Sequence, residues 1–387
     1  MESKSEARIL QLLRENGESS IAELSRLTDL GKATASRAIR SLHARGLIEY
    51  TGREFRTQNS GRAGRALRLR PETGLYLGIE VGFGIITVVL ANAAKHILAC
   101  ERHELLLAPI RLPTLPYVTS IADEVLGRAG CDRDRLRGVG FAVAAPVDPQ
   151  TGKIKRVSQD LDWAVGEPLR AFSNHFRVPV MINNDVNCSA LAELFWGRLT
   201  AEQTGVLLRM GRGVGGAIIH KGQLIQGHGA RAGDYGHIPF DPRGPECRCG
   251  GRGCYEKYLS ITAVEKDLGD TVDRLRQRAE SGDQKVLQDI KDRGHILGCL
   301  AAVVSRTVDP DMLLVGGEVA GLGTSFLTAA NERLHALNQQ AAKIQLASSA
   351  AILQQGLFQD EPALGAIGML IRNDRSLEDA RVKFQSR

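Results

Sequence analysis

Three apolar stripes with the spacing of amphipathic helices open the chain. They fall at residues 9–13, 21–27 and 35–42, and an Asn-Gly pair at 16–17 ends the first. Apolar residues that recur every three or four positions line one face of a helix, and that face must pack against other apolar surface. A short turn at 28–31 precedes the third stripe. The pattern predicts three short helices with a tight turn before the third, which is a helix-turn-helix.

The third predicted helix has a polar, basic face opposite its apolar stripe. In a helix-turn-helix this helix enters the major groove of DNA, where hydroxyl groups suit phosphates and base edges and arginines suit guanine or phosphate. Residues 47–50 and 67–69 are predicted strands, and the arginine- and glycine-rich segment between them is typical of a wing. The candidate DNA contacts are Lys32, Thr34, Ser36, Arg37, Arg40, Arg62 and Arg65.

The excess positive charge of the protein lies in its first seventy residues. Residues 1–70 carry 14 Lys and Arg against 8 Asp and Glu, whereas the other 317 residues carry 36 of each sign. A basic module of this kind is expected to meet a polyanion. Charge alone is as compatible with a solvated basic surface, and a three-helix bundle that contacts another protein is the structural alternative. Pattern, charge and wing together favour a winged helix-turn-helix DNA-binding domain at residues 1–70.

After residues 71–74 the chain changes to apolar strands that run into glycines. Alternation of such strands with helical segments predicts an α/β body over residues 75–387. Glycine clusters at 211–216 and 316–317 could let backbone amides approach a phosphate, although each alone is more often a tight turn. The predicted strands are 75–82, 85–90, 97–107, 139–143, 180–182, 206–208 and 312–315, and predicted helical segments lie near 117–129, 336–344 and 363–372.

One histidine and three cysteines at short spacing predict a metal site. His237, Cys247, Cys249 and Cys254 stand among glycines that can fold a tight loop. Four such ligands suit a tetrahedral zinc ion that the protein encloses, which is a structural and not a catalytic site. The alternative is free cysteines and a surface histidine, which the spacing disfavours.

The compartment follows from the cysteines and from the start of the chain. Seven cysteines, three of them in one cluster, do not suggest a disulfide framework,. The first residues contain no apolar signal segment, and no stretch approaches eighteen apolar residues,. We therefore expect a cytoplasmic protein that does not cross a membrane.

Four motifs carry a resemblance to a known family. They are Gly140–Asp148, Asn184–Asn187 with Glu193 and Gly197, Gly227–His237, and the CxCGxxGCxE run Cys247–Glu256. With these motifs the chain resembles the ROK family, which groups sugar-responsive repressors with sugar kinases, over essentially its whole length. The resemblance implies a winged helix followed by a two-lobe, actin-like (sugar kinase or ribonuclease H-like) α/β body. It also implies a ligand cleft between the lobes and a zinc loop at 237–256.

The resemblance further implies a role for individual residues. Asn184 and Asp185 would bind sugar hydroxyls, and Asp185 stands at the position of the kinases' general base. His237 would place one ring nitrogen on zinc and the other on a sugar hydroxyl, and Glu256 would complete the site. Asp234 would also face the sugar, although the family usually has a glutamate there. On local chemistry alone, Asn184 and Asp185 could instead form a turn or a helix cap.

Departures from the family's kinases disfavour phosphoryl transfer. Where their first phosphate loop begins Asp-x-Gly-Gly-Thr, this chain has Glu80 and then Phe83, a bulky residue where backbone should approach phosphate. The second loop carries Arg212 in place of threonine. Phosphoryl transfer depends on accurate placement of Mg²⁺ and the γ-phosphate. Ala145, where a glycine usually precedes the proline, could retune or weaken sugar binding.

The sequence therefore predicts a sugar-responsive, DNA-binding transcription regulator, specifically a repressor, and not an enzyme. A homodimer or tetramer would present paired winged helices to a two-fold operator, and a sugar or sugar derivative would shift the equilibrium between DNA-competent and DNA-incompetent states. One alternative is an active ATP-dependent sugar kinase that also binds DNA, which retained Asp185 favours. Another is a regulator controlled by a protein partner.

Overall fold

The computed structural model describes residues 4–55, 64–82, 84–104, 114–131, 133–148, 151–154, 168–342, 353–357 and 361–374. The helices of these parts are α1 (Lys4–Asn16), α2 (Ile21–Leu27), α3 (Lys32–Ala44), α4 (Leu115–Arg128), α5 (Pro168–Phe176), α6 (Asp185–Phe195), α7 (Glu256–Leu259), α8 (Ile261–Leu268), α9 (Val272–Glu280), α10 (Gln284–Val308), α11 (Thr324–Ala342) and α12 (Glu361–Asn373). The strands are β1 (Glu18–Ser20), β2 (Ile48–Phe55), β3 (Gly64–Leu69), β4 (Leu75–Gly82), β5 (Ile85–Asn92), β6 (Ile97–Glu104), β7 (Leu136–Val143), β8 (Val180–Asn184), β9 (Thr204–Met210), β10 (Val214–His220), β11 (Gln223–Ile225), β12 (Met312–Gly316) and β13 (Leu353–Gln355). Their described residues form two compact units, one within 1–143, 157–182 and 363–387 and the other within 144–156 and 183–362.

The first three helices and three short strands form the predicted winged helix-turn-helix. Ser20 caps α2 through a hydrogen bond that its Oγ accepts from the Glu23 N–H at 3.2 Å, as the serine pair at 19–20 predicts,. The apolar stripes of α1 and α3 are buried, as their spacing requires. Strands β2 and β3 are antiparallel, and β1 adds to the free edge of β3, a strand that the sequence pattern did not predict.

The same compact unit contains a five-stranded sheet with the order β6-β5-β4-β7-β8. Strands β4, β5 and β6 form an antiparallel meander, and β7 lies parallel to β4. Strand β4 is buried along its whole length because it is the central strand. Helix α12 lies against the glycines of this sheet: a Cβ on Gly78 would come within 2.0 Å of the Ala363 carbonyl oxygen. The glycines of β4 and β7 therefore serve close helix-to-sheet packing.

The second compact unit repeats this topology. Its sheet has the order β11-β10-β9-β12-β13, in which β9, β10 and β11 are antiparallel neighbours and β12 is parallel to both β9 and β13. When the strands of each five-stranded sheet are numbered in chain order, both sheets have the order 3-2-1-4-5. The core beside the second sheet is supplied largely by α10 and α11, with Leu297, Leu300 and Phe326 fully buried. Two such lobes confirm the two-lobe, kinase-like body that the resemblance implied.

Several sequence predictions can be compared with the element bounds. The predicted third body strand corresponds to β6, although residues 105–107 lie outside the described part of the chain. The helical segments near 117–129 and 363–372 correspond to α4 and α12. Arg62 of the wing and Phe83 of the first glycine loop also lie outside the described residues. Among the described helices, none combines the length and the apolar character that a membrane crossing needs.

Candidate functional site

Helix α3 presents the predicted DNA-binding face to solvent. It begins after Gly31, as predicted, and ends at Ala44, and its buried residues are Ala35, Ala38, Ile39 and Leu42. On the other side Lys32, Arg37 and Arg40 are exposed, Thr34 and Ser36 are half-buried, and Arg65 of β3 is exposed. The geometry leaves this face accessible to a nucleic acid, and the individual contacts remain predictions.

The four predicted metal ligands lie together in the second unit. One ligand atom from each of His237, Cys247, Cys249 and Cys254 lies within 4.8 Å of the others. The Cys247 Sγ is 3.6 Å from His237 Nδ1, and the Cys249 and Cys254 sulfurs are 3.6 Å apart. Tetrahedral zinc with sulfur and nitrogen ligands places its donor atoms about 3.5–3.8 Å from one another. The residues therefore fit a zinc ion, with the Nδ1 side of His237 facing the sulfurs.

The loop that carries these ligands is folded by its own backbone. Cys247 N donates to the Gly251 carbonyl at 2.9 Å, and Gly250 N donates back to the Cys247 carbonyl at 3.0 Å. Gly253 has a φ of +59°, and a Cβ there would lie 1.6 Å from the Asp241 carbonyl oxygen, so only glycine fits,. Burial, together with the neighbouring sulfurs, raises the pKa of Cys254 to about 12. The fold of the loop therefore holds the three sulfurs and the imidazole nitrogen close enough to share one cation.

Asn184 joins β8 to α6 as the N-terminal cap of that helix. Its Oδ1 accepts from the Val186 and Asn187 N–H groups at 2.9 and 3.3 Å, and its Nδ2 donates to the Ala145 carbonyl at 3.2 Å. The cap that local chemistry allowed is therefore present. Asn183, which the motif did not include, accepts from the Asn184 N–H at 2.8 Å and fixes the same corner.

Asp185 is the first residue of α6 and is held by an arginine. Its Oδ1 accepts from the Val186 N–H at 3.0 Å, and Arg209 Nη1 donates to its Oδ2 at 3.4 Å. Arg209 Nε also donates to Glu361 Oε1 at 3.0 Å. Burial raises the pKa of Asp185, and Glu318 adds to this rise. Arg209 and a backbone N–H act in the opposite direction. A carboxylate in this position is an acceptor already bound to a fixed cation.

Glu256 is the last residue of the zinc loop and the first of α7, and it is buried. Its Oε2 accepts from the Val214 N–H at 3.2 Å, so it is anchored to the start of β10. Arg248, which lies between two of the zinc ligands, donates from Nε to Oε1 at 2.9 Å and from Nη2 to Oε2 at 3.1 Å. A planar guanidinium that donates two parallel hydrogen bonds is a strong and directional partner for a carboxylate.

The loop that carries Asp234 and His237 lies directly on β10. Gly216 N donates to the Gly233 carbonyl at 2.7 Å, and a Cβ on Gly233 would come within 2.0 Å of the Gly216 carbonyl oxygen. A Cβ on Gly236 would come within 1.9 Å of the Val214 carbonyl oxygen. These glycines therefore serve backbone packing. Asp234 itself is exposed at the start of the short turn that ends at His237.

Glu193, which belongs to the second motif, holds backbone. It is buried on α6 and accepts from the N–H groups of Arg198, at 3.2 Å, and Leu357. A Cβ on Gly197 would lie 2.0 Å from its Oε2, which explains the glycine. Burial raises the pKa of Glu193, and the two backbone donors oppose this rise. Its role is to connect the end of α6 to the segment before α12.

The structure thus brings Asn184 and Asp185 together at the start of α6, and His237 and Glu256 together at the zinc loop. Sequence reasoning missed Arg209, Arg248 and Glu361. Arg209 pairs with both Asp185 and Glu361, and Arg248 pairs with Glu256. The available signal was weak: Arg248 stands inside the cysteine cluster, and Arg209 is a charge within an otherwise apolar strand.

Comparison with known proteins gives two family matches. A model described as ROK family matches residues 76–373, and one described as MarR family matches residues 3–54. The second match covers the three helices and most of β2.

Similar proteins match along nearly the whole chain. The chain is 24% identical to the xylose repressor of Caldicellulosiruptor bescii, over 94% of each protein. It is 27% identical to the DNA-binding transcriptional dual regulator NagC of Escherichia coli, over 87% of this chain and 85% of that protein. A crystal structure of a ROK family transcriptional regulator, described as a homologue of the E. coli MLC protein, matches with a TM-score of 0.71 at 20% identity, covering 95% and 96% of the two chains.

Proposed function

This chain belongs to the ROK family, and from that membership we propose that it is a sugar-responsive, DNA-binding repressor of transcription. The observation that carries the proposal is the combination, in one chain, of an exposed basic recognition helix with a sugar-kinase-like body. Relatives named as a xylose repressor and as a DNA-binding regulator match across both parts.

The winged helix supplies the DNA-binding half of the proposal. Lys32, Arg37 and Arg40 occupy the exposed face of α3, where a helix-turn-helix contacts base edges and phosphates,. Arg65 lies on the strand that leads out of the wing. A homodimer would place two such helices on the half-sites of a pseudo-palindromic operator. The partner is therefore operator DNA, and the working form is a dimer or a pair of dimers.

The second unit supplies the sugar-binding half. Asn184, Asp185, Asp234, His237 and Glu256 offer acceptors and donors of the kind that recognise a ring of hydroxyl groups. Zinc on Nδ1 of His237 would leave Nε2 to meet a hydroxyl, and the folded loop would hold Glu256 in place. Zinc here supplies structural order, not chemistry. A reduced, cytoplasmic environment keeps the three cysteines available as ligands.

The same residues favour sensing over phosphorylation. A general base must accept a proton from the attacking hydroxyl through an available oxygen. Both oxygens of Asp185 already accept hydrogen bonds, Oδ1 from the Val186 N–H and Oδ2 from Arg209. Glu80, which replaces the kinases' aspartate, is buried in β4. We propose that Asp185 acts as a hydroxyl acceptor and that the protein transfers no phosphoryl group.

Thermal unfolding of the zinc-loaded full chain tests the proposal. The chain is melted with a panel of D-xylose, D-glucose, N-acetyl-D-glucosamine and D-glucose 6-phosphate, each with and without Mg-ATP. A ligand that binds the native state raises the midpoint. A shift with a sugar alone, and a change in binding to operator-enriched genomic DNA with the same sugar, would support the sensor. Phosphorylated sugar in the ATP samples would instead support a kinase, and no shift at all would favour control by a protein partner.

A further inference from the structure

Arg248 of the second unit pairs with Glu256, a residue that the proposed function assigns to the sugar. Its guanidinium makes two hydrogen bonds with Glu256, at 2.9 and 3.1 Å. Under the proposed function, on which this inference rests, the Glu256 carboxylate accepts hydroxyl groups of the sugar. The two partners would use the same two oxygens.

The pair is asymmetric in a way that permits exchange. The Glu256 side chain is 8% exposed, whereas that of Arg248 is 45% exposed. A buried carboxylate needs donors at all times, because an unpaired buried charge is costly. The guanidinium of a half-exposed arginine loses less on leaving, because water solvates it as soon as it swings outward, provided that other donors replace it on the carboxylate.

The residues around Arg248 and Glu256 leave room for this exchange of donors. A Cβ on Gly213 would lie 3.1 Å from Glu256 Oε2 and 3.3 Å from Arg248 Nη2, so a side chain at this position would crowd both groups. The Val214 N–H keeps its own hydrogen bond to Oε2. Glu256 can therefore stay in place while the two N–H donors of Arg248 are replaced by two O–H donors.

We propose that Arg248 is a built-in competitor for the sugar, which pairs with Glu256 in the sugar-free protein and must be displaced for the sugar to bind. Its effect is to lower the apparent affinity, because part of the binding free energy goes into breaking an existing ion pair. Arg248 thereby sets the sugar concentration at which the protein responds, without itself contacting DNA or transferring a group.

The test compares Arg248→Ala with a control from the same loop. Arg252 also pairs with a carboxylate, donating to Glu246 at 2.8 Å, but Glu246 is 81% exposed and is not a proposed sugar ligand. Both variants are prepared as full chains, and their zinc content is measured first. The sugars D-xylose, D-glucose and N-acetyl-D-glucosamine are then titrated by calorimetry into the wild type and each variant.

Arg248→Ala is expected to bind the sugar about fivefold more tightly than the wild type, the size of an exposed ion pair, and Arg252→Ala to bind as the wild type does. Arg248→Lys, which keeps the charge but loses the two-donor geometry, should fall between. Equal or weaker binding by Arg248→Ala with zinc intact would overturn the inference while leaving the sugar site standing. If the alanine variant loses zinc, Arg248→Lys decides by the same criterion. If neither wild type nor Arg248 variants bind any of the three sugars, the proposed function fails and the inference with it.

Discussion

Arg209 joins the carboxylates of Asp185 and Glu361, lying 3.4 Å from Oδ2 of the first and 3.0 Å from Oε1 of the second. Asp185 opens α6 and Glu361 opens α12. Both acids thus stand where the partial positive charge at a helix N-terminus favours them. One guanidinium therefore connects the beginnings of two helices. The more distant of the two in sequence begins at Glu361, 152 residues after Arg209.

Replacing Arg209 with methionine should destabilise the fold. The side chains of Arg209 and Glu361 are 13% and 2% exposed, so the change would leave buried carboxylates without their cation. Removing one partner of a buried pair costs about 3–5 kcal/mol, and residual solvent access to Asp185 reduces this to about 2–4 kcal/mol. Urea unfolding monitored by circular dichroism would measure the loss.

The control for that experiment is Arg274→Met on α9. Arg274 is 75% exposed and pairs weakly with Asp270 at 3.9 Å, so its removal should change the free energy of unfolding by less than about 0.5 kcal/mol,. If the two variants lose the same stability, Arg209 does not have the role assigned to it.

Cysteine substitution tests the metal centre. Cys249→Ser removes one of four ligands and should abolish stoichiometric zinc, because three remaining ligands no longer enclose the ion. Metal binding contributes directly to folding, so the melting midpoint should fall by roughly 5 °C or more. Inductively coupled plasma mass spectrometry gives the zinc content and calorimetry the midpoint. Cys131→Ser, which changes a cysteine that is not one of the four ligands, should retain both. Retention of zinc by the Cys249 variant would exclude the four-ligand site.

The DNA-binding face is tested by Arg37→Ala. We expect operator affinity to fall by about 1–3 kcal/mol if Arg37 contacts a base edge, and the dependence of affinity on salt to decrease by about one counterion if it contacts a phosphate. Fluorescence anisotropy at several salt concentrations distinguishes the two. Arg274→Ala removes the same charge from the body and corrects for the net charge of the chain. An Arg37 variant with unchanged affinity and salt slope would refute the groove assignment.

Stability should depend on pH through Lys95. Its Nζ donates to the carbonyl of Glu15 near the end of α1, and burial lowers the pKa of Lys95 to about 7, with Glu15 opposing that change. Between pH 7 and about 10.5 the unfolded chain binds a proton at this lysine that the folded chain lacks, so the free energy of unfolding rises with pH. Because the side chain is only partly buried, the gain should be about 1–2 kcal/mol.

The measurement compares the wild type with Lys95→Met in urea at pH 7 and pH 9.5. From pH 7 to pH 9.5 the free energy of unfolding of the wild type should increase relative to that of Lys95→Met. The difference between the wild type and Lys285→Met, on the exposed surface of α10, should stay constant. A constant difference for Lys95→Met would contradict the linkage.

The sequence predicted those parts of the molecule that depend on local pattern. The winged helix follows from helical periodicity and a serine cap, and the zinc ligands follow from spacing. The strand β1 was missed because three residues, two of them serines, show no alternation; it exists because Ser19 and Ser20 pair with Leu67 and Ala66. The strand forms because β3 is available as a partner, and not because of the local sequence.

The sequence predicted the residues of the candidate site that belong to a motif, but not the partners of those residues. Asn184 and Asp185 were found by a motif, but the partner of Asp185 is 24 residues away on another strand. No local pattern indicates which arginine will meet which carboxylate. Likewise, the glycines of 211–216 allowed either phosphate contact or a tight turn, and nothing local indicated that Gly216 would pack against a loop from Gly233.

That contact between Gly216 and Gly233 has an evolutionary consequence. Because the loop from residue 227 to 237 is fixed to β10 through backbone atoms, its hold does not depend on the side chains that point away from the strand. Mutations at exposed positions such as Asp234 can therefore accumulate without displacing the metal ligand at its end. Proteins built this way can diverge in what they recognise while inheriting an unchanged framework.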